Sequence, residues 1–149
     1  MAITGVYITG IVLVIDDDDI FREELVSILK GVGLAVISMP SALHATKFMQ
    51  NQPWNWYPAL VFTDLVMGGL GGYQFIRRLA ELYPKREIPV IVTSKLNSGL
   101  DVAEAEIAGA DAYLIKPINA ETVIETIRQV MNKKQRKMIL KDAQKKQKN

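Results

Sequence analysis

The chain has 149 residues, 49% of them hydrophobic, a formal net charge of +2 and no cysteine. That length suits one domain able to bury its own core, and the lack of Cys excludes disulfides, thiolate metal sites and a Cys nucleophile. The charge is uneven: positions 132–149 hold eight Lys or Arg against one acid, +7, while the rest carries −5, so a body at 1–131 and a basic tail or linker helix at 132–149 need separate explanations.

The N-terminal stretch MAITGVYITG has no basic start, so no signal peptide is expected. The apolar runs further on are too short to cross a bilayer. A soluble, cytoplasmic protein without a transmembrane segment is the expectation.

In chain order, Ile11–Ile15, Leu34–Ser38, Ala59–Thr63, Val90–Ser94 and Ala112–Ile115 read as strands. They are rich in Val and Ile and lack clean alternation, as strands covered on both faces do. Helical spacing lies between them. Phe21, Leu25, Ile28 and Leu29 share one face, as do Phe75, Ile76, Leu79 and Leu82, and then Val123, Ile124, Ile127 and Val130. Ala42–Met49 and Leu100–Ala108 are weaker helices. Gly31 with Gly33, Pro84 and Gly109 punctuate the helix ends. Five strands alternating with helices give an α/β fold, a parallel sheet with helices on both faces. In such sheets the site lies beyond the carboxyl ends of the strands.

The residues at those ends are chemically rich. Asp16 to Asp19 follow Val-Leu-Val-Ile. Four adjacent carboxylates repel one another, and a divalent cation such as Mg²⁺ would offset that cost. Asp16 and Asp17 are read as metal-binding, whereas Asp18 or Asp19 caps the following helix. Asp64 ends Ala-Leu-Val-Phe-Thr and precedes the glycine-rich Met67-Gly-Gly-Leu-Gly-Gly72; alone it would read as a turn residue. Ser94 ends the fourth strand, where a hydroxyl can donate to an anion. Lys116 ends the fifth and precedes Pro117; it can pair with Asp64 and then with a phosphoryl oxygen.

Taken in order, these segments resemble the receiver domains of two-component response regulators, of the chemotaxis response regulator type, over roughly Ile11 to Met131. The resemblance rests on Val-Leu-Val-Ile-Asp-Asp-Asp with Arg22, Pro58-Ala-Leu-Val-Phe-Thr-Asp64, Ile88-Pro-Val-Ile-Val-Thr-Ser94 and Gly109-Ala-Asp-Ala-Tyr-Leu-Ile-Lys-Pro117. It implies a flavodoxin-like doubly wound five-stranded sheet of order 2-1-3-4-5 with five helices. It also implies that Asp64 accepts a phosphoryl group from a histidine kinase or phosphotransfer protein. Asp17, Asp64 and the Val66 carbonyl would hold Mg²⁺, with Asp16 acting through water or by orienting that shell. Lys116 would bind the phosphoryl group, Ser94 and Tyr113 would switch, and the Lys116–Pro117 bond would be cis. The output would be the face of the fourth helix, fifth strand and fifth helix, which also offers a homodimer surface. Self-phosphorylation and slow self-dephosphorylation would be the only chemistry.

Some positions depart from the family or stay ambiguous. Gly68 replaces the usual Pro, which with Gly69, Gly71 and Gly72 implies a mobile loop. Lys95 stands where a small residue is usual, and reads either as an extra cation for the phosphoryl group or as a solvent-facing side chain. Tyr113 reads as a switch or as a plain strand aromatic. Trp54 and Trp56 are expected to pack at the lower edge of the sheet. His44 reads as a surface residue, and Met39, Met49, Met67 and Met131 as core or loop filler.

Two rivals remain. Asp16-Asp-Asp18 also fits the opening of haloacid dehalogenase-type phosphatases, but Glu121, Glu125 and Asp142 make no late metal pair. A degenerate receiver serving as a binding module usually lacks an acid or the Lys, and here both are present. The sequence is compatible both with a stand-alone regulator and with a fragment of a larger one. The tail, with Met138, Ile139 and Leu140 its only apolar group, cannot form a full stripe. The final helix can run on through Lys141. The tail reads as solvated and frayed, as an electrostatic docking segment for an acidic partner, nucleic acid or anionic membrane surface, or as a segment that touches its own acidic body and the rim at Asp16–Asp19. Specific nucleic-acid binding is not expected, since no aromatic residue is there to stack.

Overall fold

The computed structural model describes residues 2–3, 6–67 and 71–148. Seven strands and five helices follow in the order β1 (Ala2–Ile3), β2 (Val6–Tyr7), β3 (Ile11–Ile15), α1 (Asp19–Gly31), β4 (Ala35–Met39), α2 (Ala42–Gln50), β5 (Leu60–Thr63), α3 (Gly72–Leu82), β6 (Val90–Ser94), α4 (Gly99–Ala108), β7 (Ala112–Ile115) and α5 (Ala120–Lys148). The main sheet is parallel, in the order β4-β3-β5-β6-β7. Counted within that sheet, this is 2-1-3-4-5, the flavodoxin-like arrangement expected.

Successive strand residues point to opposite faces, and that alternation splits the core in two. Val12, Val14, Leu60, Phe62 and Ile91 meet α1 and α5 through Phe21, Leu25, Leu29, Val123, Ile127 and Val130. Leu13, Ile15, Val61, Val90 and Val92 meet α2, α3 and α4. The central strands β5 and β6 are buried at every residue, which is why their sequences read as unbroken apolar runs. Full burial of one such side chain contributes about 1.5–3 kcal/mol.

Several boundaries differ from the sequence reading. β4 starts at Ala35, one residue late, because the Leu34 N–H donates to the Leu29 carbonyl at 3.1 Å and closes α1. Gly33 makes that closure at φ +85°, which a Cβ disfavours. The antiparallel pair β1–β2 was not foreseen; two-residue strands show no periodicity. Trp56 packs as expected, edge-on to Phe48 with centroids 5.6 Å apart, but Trp54 does not, being 96% exposed. His44 is exposed, as read. The mobility expected of Gly68 and Gly69 concerns residues outside those described.

The tail takes the linker-helix form rather than the frayed one: it continues α5 without interruption to Lys148. The stripe Val123-Ile127-Val130 that seats α5 on the sheet is prolonged by Lys134 and Lys141. Lys134 pairs with Asp111 at 3.0 Å, and Lys141 with Glu87 at 2.6 Å. Among the described residues, the tail's ion pairs with the body are thus with Glu87 and Asp111, not with the rim at Asp16–Asp19. Met138, Ile139 and Leu140 are exposed.

Candidate functional site

The register of the sheet assembles the site. Ile15 lies beside Thr63, and Ser94 beside Ile115, so the next residues of each strand share one rim. Backbone bonds carry the pairing past the ladder: the Asp64 N–H reaches the Ile15 carbonyl at 3.1 Å, and the Lys116 N–H the Ser94 carbonyl at 2.8 Å.

At this rim Asp16, Asp17 and Asp64 each bring a carboxylate oxygen within 4.8 Å of the others. Asp16 and Asp64 are buried, at 1% and 7% exposure, whereas Asp17 is open to solvent. Lys116 reaches over them, its Nζ donating to Asp16 Oδ2 at 2.7 Å and to Asp64 Oδ2 at 3.0 Å. Three carboxylates thus face one ammonium, and an additional divalent cation would balance the charge. An all-oxygen donor set with one member open to solvent fits a hard cation that keeps some of its waters.

The oxygens are already oriented. Asp64 Oδ1 accepts from the N–H groups of Leu65 at 2.7 Å and Val66 at 3.2 Å. Asp16 Oδ1 accepts from the Asp18 N–H at 2.9 Å, and Arg22 Nη1 holds the Asp16 carbonyl at 2.7 Å. Burial pushes the Asp16 carboxyl above its ordinary range, against the pull of Lys116. For Lys116, burial opposes the charge, but the hydrogen bonds it donates to Asp16 and Asp64, with their negative charge, outweigh that and raise its pKa. The lysine therefore stays an ammonium, and its two partners keep the ion pair intact although it is buried.

Asp18 belongs to the helix rather than the cluster. Its Oδ1 caps α1, accepting from Ile20 and Phe21 N–H groups at 3.0 and 3.1 Å; the Phe21 bond leads in holding its carboxyl below the ordinary range. Ser94 is fully buried, and its Oγ accepts from the Leu96 N–H at 3.2 Å. Tyr113 is half-buried and donates its hydroxyl to the Leu96 carbonyl at 2.7 Å. Both residues therefore bond the β6–α4 segment at Leu96. Lys95 is exposed. The Lys116–Pro117 peptide is cis.

Two contacts escaped the sequence reading. Arg22 was noted only as a family match, and its grip on the Asp16 carbonyl needs three-dimensional placement. Phe21 was read only as a core residue of α1, yet its ring lies 4.1 Å from Lys116 Nζ. Its sole sequence signal is an aromatic in the first turn after the acidic run.

Comparison with known proteins agrees with this geometry. A family model, the response regulator receiver domain, matches residues 12–128. The transcriptional regulatory protein CseB of Streptomyces avermitilis is 32% identical over 123 residues, covering 82% of this chain and 49% of CseB. The chain thus spans about half the length of that relative. Protein PilG of Pseudomonas aeruginosa is 31% identical over 117 residues, covering 78% of this chain and 84% of PilG. Among solved structures, a CheY-like receiver domain protein from Methanospirillum hungatei JF-1 superposes with a TM-score of 0.75 at 22% identity, over 86% of this chain and 98% of its own.

Proposed function

This chain belongs to the response regulator receiver domain family, and from that premise we propose that Asp64 is its phosphoacceptor. The observation that carries the proposal is the buried Lys116 ammonium bridging Asp16 and Asp64 beside the exposed Asp17.

In the proposed reaction, an Asp64 carboxylate oxygen attacks the phosphorus of a donor. The new O–P bond forms as the bond to the leaving group breaks, and the leaving group keeps that electron pair. Asp64 needs no base, because a carboxylate is already deprotonated. Asp16, Asp17, Asp64 and the Val66 carbonyl would hold Mg²⁺, which supplies charge neutralisation at the phosphoryl oxygens. Lys116 shifts a donor from Asp64 to a phosphoryl oxygen. The acyl phosphate adds negative charge and acceptor oxygens at one point. Ser94 turns from Leu96 toward them, and Tyr113 leaves the Leu96 carbonyl for the space vacated. The readout is the α4–β7–α5 face, where Leu100, Ile107 and Ile115 are exposed. The phosphodonor is a histidine kinase or phosphotransfer protein on the cytoplasmic side, and the same face serves partners or a second copy.

The test is incubation with acetyl phosphate and Mg²⁺, followed by intact-mass measurement and mapping of the modified residue. One labile phosphoryl group on Asp64 is expected, lost in Asp64→Asn. Modification of Asp64→Asn at the wild-type rate would overturn the assignment, and turnover of phosphate esters would point to a phosphatase.

A further inference from the structure

We propose that Phe21 is a positioning residue for Lys116, an aromatic floor that holds its ammonium at the phosphoryl site. The inference rests on the phosphoacceptor reading of Asp64 and deepens it. Phe21 stands in the first turn of α1, at 7% exposure, with its ring centroid 4.1 Å from Lys116 Nζ. The Asp18 cap fixes that turn by accepting from the Phe21 N–H at 3.1 Å. The ring is therefore placed by the acidic run itself.

A lysine side chain is a flexible four-carbon stem with a strongly hydrated head. Here that head is withdrawn from water, the side chain being 6% exposed. Oxygens of Asp16 and Asp64 take two of its three donors. The ring covers another side, where an aliphatic residue would exclude water without attracting the charge. An aromatic face does both, because its quadrupole is negative toward a cation.

The neutral ring has a specific advantage at this position. When Asp64 becomes an acyl phosphate, one of the two carboxylates holding Lys116 changes its charge and shape. Asp16 remains, while the second ionic contact passes from Asp64 to a phosphoryl oxygen, and during that exchange one ion pair alone would leave the ammonium free to swing. The attraction of the ring is the same before and after transfer, and it never competes for the phosphoryl group or the metal. Phe21 thus keeps Nζ at one height on the rim through the reaction. That is positional control of the kind that transfer by electrostatic stabilisation requires.

The experiment compares wild type, Phe21→Leu, Phe21→Tyr and a series with one to three ring fluorines at Phe21. Fluorination weakens the quadrupole with little change of shape. Two quantities are read in the full chain: the rate of phosphorylation by acetyl phosphate at saturating Mg²⁺, and the rate of Lys116 labelling by an amine reagent without Mg²⁺ or donor. Phe21→Leu should slow phosphorylation roughly three- to thirty-fold, the range of a partly to fully desolvated cation–π contact, and should speed Lys116 labelling. Phe21→Tyr should stay near wild type, and the fluorinated series should fall stepwise. Wild-type rates in the trifluoro variant, or equal losses in Phe21→Tyr and Phe21→Leu, would show that Phe21 merely packs. Absence of phosphorylation in the wild type would instead overturn the reading of Asp64, and labelling of Lys116 would still decide the role of Phe21.

Discussion

Replacing Gly72 by alanine sets two effects of opposite sign against each other. Gly72 opens α3, and in a helix interior alanine is favoured over glycine by about 0.8–1.0 kcal/mol. Helix propensity alone therefore makes the variant more stable. The packing says otherwise. A Cβ at Gly72 would stand 2.2 Å from the Asp64 carbonyl oxygen and 2.6 Å from Leu65 Cα. Both are backbone atoms, so no side-chain rotation relieves the clash. Overpacking of this kind costs roughly 1–3 kcal/mol, occasionally more, and it outweighs the smaller propensity gain at a helix's first position. A fall in Tm of roughly 3–10 °C follows for a domain of this size. Function should suffer more. The peptide that must move is the one holding the Asp64 carboxylate, through Leu65 N–H at 2.7 Å and Val66 N–H at 3.2 Å. A displacement near 1 Å at a reacting group can cost about a hundredfold in rate. Thermal melts followed by circular dichroism, together with acetyl phosphate kinetics, test both parts. A Gly72→Ala protein that melts at or above the wild-type temperature and is phosphorylated at the wild-type rate would refute the reasoning.

Three further outcomes are expected. The hydrogen bond from Lys141, aided by Lys134 and Lys137, holds the Glu87 carboxyl below its ordinary 4.5. A lowered folded pKa stabilises above 4.5 and fades as pH falls through the folded value, so amide resonances of 132–148 should shift toward coil on acidification below that point, and in Glu87→Gln already at neutral pH. Val66 and Leu96 are 60% and 37% exposed and cannot orient an attacking water. Self-dephosphorylation should therefore be slow, and Val66→Asn with Leu96→Glu should shorten the acyl phosphate lifetime measured by intact mass. Truncation after Met131 should leave Mg²⁺ affinity and phosphorylation rate within about twofold at physiological salt, where screening is strong; a tenfold change in either would count against this.

The strand ends were legible because burial on both faces leaves a contiguous apolar run whose first polar residue marks the rim. Val-Leu-Val-Ile before Asp16 and Leu-Val-Phe-Thr before Asp64 are such runs, and β3 and β5 end at Ile15 and Thr63. The helix faces of α1, α3 and α5 were legible for the matching reason: Phe21, Leu25 and Leu29 recur at helical spacing and are buried together. α4 was weak in sequence and is weakly seated in the structure, with Ala105 its only buried residue. Periodicity could not reveal what Phe21 touches besides the core. Its ring contact depends on Lys116, which arrives 95 positions later through the parallel register. Trp54 and Trp56 show the same limit. Two residues apart, they were read as one packed pair, but one lies against Phe48 and the other points to solvent.

The tail shows what charge counting leaves undecided. A segment of +7 beside a body of −5 predicts attraction but not which carboxylates meet it. The most acidic stretch, Asp16–Asp19, sits at the carboxyl end of β3, whereas α5 continues past the opposite ends of β6 and β7. There it meets Asp111 and Glu87. Asp111 and Lys116 bracket β7, and the five residue-to-residue steps between them span about 16 Å of extended chain. The Debye length is about 8 Å at physiological salt, so the lysines that face Asp111 and Glu87 act on the carboxylate cluster only through a screened field. A mechanical route is shorter. Asp111 binds Lys134 through Oδ1 at 3.0 Å and accepts from the Val90 N–H through Oδ2 at 2.9 Å, which ties the starts of β6 and β7 to the tail. Tyr113 lies two residues further along that strand. The tail also continues α5, which packs on β7, so an influence on the proposed switch has two mechanical routes, along α5 and through Asp111 at the start of β7, and both would register in the surroundings of Tyr113 before they registered in Mg²⁺ affinity.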